Sequence, residues 1–97
     1  MKFNIQAVGF TADQKLVDLI EKKVDKLNKF KDHIVDGDVF LRIDNNTHQI
    51  KAKTVEIKCN VKGQTLFSKE TSKSFEESFD SSMDSLVRQV KKYKEQL

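Results

Sequence analysis

The sequence predicts one small α+β domain in two layers, with the element order βαβββα. Its four-stranded mixed sheet carries two helices packed on one face. Three observations predict it. The apolar residues recur with period two in some stretches and with helical period in others. Each helical stretch has a single apolar stripe, so it has one face to bury. The clearest strand is also apolar on one face only, and one-sided helices and a one-sided sheet hide those faces by stacking in two layers. A chain of 97 residues holds one core of this kind and not two, so residues 1–97 read as a single domain.

The elements follow in order. In residues 2–8, Phe3, Ile5 and Ala7 alternate onto one strand face, and Gly9 marks the exit. Thr11 to Gln14 has capping-box form, with Thr11 as N-cap. Leu16, Ile20, Val24 and Leu27 then step at helical spacing, predicting a helix over about 12–29. Asp36-Gly37 reads as a turn before a strand carrying Val39, Leu41 and Ile43, although that strand has a possible earlier start at Ile34. Residues 44–48 form a polar cluster suited to a hairpin loop. Val55, Ile57, Cys59 and Val61 alternate with Glu56, Lys58 and Asn60 in the third strand. Lys62-Gly63 turns the chain into a fourth strand near 65–70. Ser74 to Glu77 is a second capping box. It opens a long helix whose stripe runs through Phe75, Phe79, Met83, Leu86, Val90, Tyr93 and Leu97.

Charge placement is more informative than the net +3, which comes from 18 basic and 15 acidic residues. On the first helix Lys15, Lys22, Lys26 and Lys29 share a solvent stripe beside Asp18, Glu21 and Asp25. Asp18–Lys22 and Asp25–Lys29 have the spacing of weak helical ion pairs. On the second helix Glu76, Glu77, Asp80 and Asp84 precede Arg88, Lys91, Lys92 and Lys94. This ordering suits the helix dipole, but the basic block begins before the last turn. Such a cluster neutralises phosphates if the two helices lie side by side. Read from charge alone, an ordinary solvated surface accounts for it equally well.

Several classes are disfavoured. No apolar run approaches the roughly 20 residues of a membrane span, and no signal peptide is visible. The single Cys59 cannot form an internal disulfide, so a reduced cytoplasmic protein is expected. His33, His48 and Cys59 match no zinc spacing. No phosphate loop or nucleophile motif is present. The reading is therefore not an enzyme, with no catalytic residues, no metal and no cofactor.

Two segments carry a resemblance. Residues 16–30 (LVDLIEKKVDKLNKF) resemble the first helix of the ribosome hibernation promoting factor and ribosome-associated inhibitor A family, with its E-K-K-x-x-K-L core closed by an aromatic. Phe79-Asp80, Met83-Asp84, Leu86, Arg88-Gln89, Lys92 and Lys94 are similar to the family's closing helix. Thr47-His48 also resembles a family feature. The family's Asp-x-Tyr at the start of the last helix is replaced here by Ser74 and Glu76, so contacts of that tyrosine ring are not expected. The resemblance implies a fold similar to double-stranded RNA-binding domains, which read backbone shape.

The resemblance further implies a translation inhibitor that binds the small ribosomal subunit in the mRNA–tRNA channel. Such a protein keeps ribosomes inactive under stress or in stationary phase. Its partners are the small subunit and its rRNA, with no membrane, small-molecule substrate or DNA. Lys22, Lys23, Lys26, Lys29, Arg88, Lys91, Lys92 and Lys94 are the positions expected to face rRNA phosphates. The chain stops after the second helix and so resembles the family's short form. Two alternatives are a general double-stranded RNA-binding module and a protein–protein regulatory adaptor.

Overall fold

The computed structural model describes residues 1–44 and 52–97. The elements are β1 (Phe3–Val8), α1 (Gln14–Val24), a 3-10 segment (Asp25–Phe30), β2 (Ile34–Asp44), β3 (Ala52–Val61), β4 (Gln64–Ser72) and α2 (Phe75–Glu95). The sheet runs β1-β2-β3-β4, so the predicted α+β order holds. β1 and β2 are parallel, and β2, β3 and β4 form an antiparallel meander.

Register sets the core. Ile5, Val39, Ile57 and Ser68 stand opposite one another in one row across the sheet. Ala7, Leu41 and Val55 form the next row, and Phe3, Gly37, Cys59 and Leu66 a third. Because side chains alternate along a strand, all three rows face the same way. Ile20, Val24, Leu27 and Phe30 close over them from one side, and Phe79, Met83, Leu86 and Val90 from the other, in one apolar cluster. Each large side chain buried there contributes about 1.5–3 kcal/mol.

Five local expectations are corrected. The N-cap of α1 is Asp13, not Thr11. Its carboxylate accepts from the Lys15 amide at 3.3 Å, and its carbonyl accepts from the Leu16 and Val17 amides. The chain stays non-helical through Ala12 because Phe10 and Ala12 are laid against the core.

The first helix tightens after Val24 into a 3-10 turn. Val24, Leu27 and Phe30 are all buried at a spacing of three, and a 3-10 helix stacks positions three apart. Neither Asp18–Lys22 nor Asp25–Lys29 pairs among the described residues. Asp18 accepts from the Gln14 side-chain Nε2 at 2.9 Å instead.

Asp36-Gly37 is not a turn. It lies inside β2, where a register shift between Ile34 and Asp36 leaves Val35 facing solvent. Gly37 is required there, because a Cβ would overlap the Phe3 ring and the Lys58 carbonyl.

At the far end, Leu97 falls outside the apolar stripe. α2 stops at Glu95 and Leu97 is exposed. Tyr93 ends the stripe, its hydroxyl donating to the Lys62 carbonyl at 2.8 Å beside Gly63, whose φ is 89°. Of the polar cluster 44–48, Asp44 closes β2; Thr47, His48 and the rest of that expected loop lie outside the described residues.

Candidate nucleic-acid interface

The seam between the first helical segment and α2 gathers most of the basic residues singled out above. Spacing by three in the 3-10 turn brings Lys26 and Lys29 onto one ridge. Facing them from α2 stands Arg88, and the three cations line one groove with Asp25, Asp84 and Val87. Farther along, Lys91 and Lys94 line a second groove with Phe30 and Glu95. Phe30 joins the two: Lys29 Nζ lies 5.3 Å and Lys94 Nζ 5.7 Å from its ring centroid. Cations at that range are attracted to the ring's electron-rich face. A core phenylalanine thus holds lysines from two elements on one surface.

The other three expected residues stand elsewhere. Lys22 is exposed on α1. Lys92 lies on the opposite flank of α2, beside Gln64, Leu66, Gln89 and Tyr93. Lys23 turns into the seam, where its ammonium donates to both Asp80 oxygens at 2.7 and 2.9 Å and lies 3.3 Å from Glu76. The Asp80 hydrogen bond, opposed by burial and helped by Glu76, holds the Lys23 ammonium above its ordinary pKa.

The seam is therefore polar along its length. At the start of α2, Glu76, Glu77, Asp80 and Asp84 line an acidic groove with Ser74 and Ser81. At the other end Arg88, Lys91 and Lys94 face Lys26 and Lys29. This arrangement can take an anionic chain at one end and repels it at the other. Arg88 offers a planar fork suited to two phosphate oxygens, and the lysines act as point charges.

The sequence set Asp25 beside Lys26 and Lys29, but it gave Phe30 no part in holding the lysines. The aromatic that closes the first basic helix was the available signal. Gln89, which carried only the resemblance, donates its side-chain amide to the Phe67 carbonyl at 2.8 Å and ties α2 to β4.

Cys59 and His33 stand away from this seam's basic grooves. Burial, with a smaller effect from the Asp36 charge, pushes the Cys59 thiol up to about 11. The His33 amide donates to the Phe30 carbonyl at 2.9 Å as the chain leaves the 3-10 turn. Among the described residues, no three His, Cys, Asp or Glu side chains are grouped to hold a metal ion. No helix of these residues is long and apolar enough to cross a membrane.

Fold and seam together define a small α+β domain that presents a basic surface between two helices. The chain belongs to the sigma 54 modulation protein / S30EA ribosomal protein family, whose model matches residues 3–97. It is a family of ribosome-associated factors rather than of enzymes. Two solved structures have the same fold. A ribosomal subunit interface protein from Coxiella burnetii superposes with a TM-score of 0.84 at 23% identity, covering 97% of this chain and 98% of that one. The N-terminal domain of Thermus thermophilus Protein Y superposes with a TM-score of 0.76 at 22% identity, covering 95% and 94%.

Proposed function

We propose that residues 1–97 act as one ribosome-binding domain that docks on the small subunit through the basic end of the helix seam. Held in the mRNA–tRNA channel, it blocks initiation and keeps ribosomes idle under stress or in stationary phase. The observation that carries this reading is the convergence of Lys26, Lys29 and Arg88 on one groove, continued by Lys91 and Lys94 around Phe30. Phosphates of rRNA fit such a surface, and membership of a ribosome-associated family supplies the partner. A protein that acts on ribosomes in this way is cytoplasmic in this reading.

Within the site, Lys26, Lys29, Arg88, Lys91 and Lys94 make the direct phosphate contacts. Lys22 and Lys92 add to the surrounding positive field from either flank. Lys23 serves chiefly to hold the helices together, since two carboxylates already take its charge.

Co-sedimentation with isolated small subunits over a salt series tests the proposal. About five phosphate contacts predict that affinity falls roughly 500-fold between 50 and 200 mM salt. Reversing Lys29 and Arg88 together should remove most binding while the thermal midpoint stays near wild type. Equal binding by that double variant would refute the assigned surface. A gel shift with plain duplex RNA of comparable affinity would instead favour a general RNA-binding module. RNA-independent capture of a protein would favour an adaptor.

A further inference from the structure

The sheet face turned away from the helices carries a second group of side chains that the seam does not use. Phe40 of β2 is half-buried there, with the Arg42 guanidinium carbon and Lys58 Nζ each 5.7 Å from its ring centroid. Phe67 of β4 is 46% exposed and stands directly across from Lys58 of β3. Lys58 thus stands between Phe67 and Asp38 in its own row and reaches Phe40 diagonally, the two aromatic side chains lying on strands about 10 Å apart, two strand spacings. Glu56, also between them, is offset by Arg42 at 3.5 Å and Lys69 at 3.9 Å. Gln6, which faces Phe40 across β1–β2, adds hydrogen-bonding capacity.

Folding explains only part of this arrangement. Cross-strand packing accounts for the half-covered Phe40. It does not account for Phe67, which leaves nearly half its surface in water on an edge strand, where exposed apolar side chains invite association. The combination of ring faces, cations set on or beside them and an amide is the chemistry that recognises unpaired bases. Aromatics and guanidinium planes stack with bases, and neighbouring lysines pair with the phosphates.

We propose that the outer sheet face is a second nucleic-acid surface, which takes a short single-stranded RNA segment by stacking on Phe67 and on the Phe40–Arg42 pair. Lys58 and Lys69 neutralise its phosphates. The site shares no residue with the helix seam, so it stands or falls independently of the docking surface proposed above. A protein with both surfaces grips folded RNA on its helices and an unpaired strand on its sheet.

Amide NMR of the whole chain titrated with octauridine at low salt tests it. The expected result is saturable shifts at Phe40, Lys58 and Phe67, retained when Lys29 and Arg88 are reversed. Phe67→Ser should weaken octauridine binding roughly 5- to 150-fold, the range of one lost base stack, while the protein stays folded. Arg42→Gln should weaken it as well, as an independent check that does not alter β4. Shifts confined to the helix seam, or undiminished binding by Phe67→Ser, would overturn the proposal. So would shifts at these amides that depend on protein concentration without RNA, which would assign the face to a second copy of the chain.

Discussion

The Lys23 ammonium sits 2.7 Å from the Asp80 carboxylate, joining α1 to the acidic half of α2. The lysine side chain is 22% exposed and its two partners 44% and 59%, so the bridge is solvated and is worth about 0.2–1 kcal/mol. Replacing Lys23→Met should lower stability by that amount and leave small-subunit binding within about twofold of wild type. Because the pair raises the folded-state pKa above the ordinary 10.5, the stabilisation is complete below about pH 10.5 and is lost as pH rises through the raised value. Denaturant titrations of both proteins should converge above that pH.

Ser68 and Ser82 meet behind β4, their hydroxyls 2.7 Å apart and both buried. Ser82→Ala leaves the Ser68 hydroxyl without a partner and should cost about 1–3 kcal/mol. Replacing both by alanine removes the orphan and should recover most of that loss. A double-mutant cycle by urea unfolding measures the difference.

Gly37 faces the Phe3 ring in the row shared with Cys59 and Leu66. Gly37→Ala should destabilise the fold by about 1–3 kcal/mol through overpacking. For a domain of this size each kcal/mol lowers Tm by roughly 4–8 °C. Adding Phe3→Leu should return part of the loss, a non-additivity that calorimetry resolves.

The Cys59 thiol is fully buried, with its pKa pushed up to about 11. It should resist a thiol reagent at pH 8 in the native protein and react at once in denaturant. Fast native labelling would show that β3 opens locally.

The order of elements was legible because each strand and helix carries its own period. Val55, Ile57, Cys59 and Val61 announce β3 without reference to anything distant. Ser74 was legible as the α2 cap because its partner, the Glu77 amide, is three residues away. Asp13 was not, since the start of α1 depends on where Phe10 and Ala12 must lie to meet the core. The basic clusters were visible as residues but not as a site. A projection at 100° per residue groups Lys22 with Lys26 and Lys29, whereas the 3-10 turn sets Lys26 and Lys29 apart from it.

By itself, then, the sequence determined the α+β class, the βαβββα order and most residues of the core, because hydrophobic period and capping act between near neighbours. Tertiary structure alone decided that Lys23 is held by Asp80 and that Gly37 must lack a Cβ. Each of these depends on groups far apart in the chain, whose meeting is settled by how the layers pack.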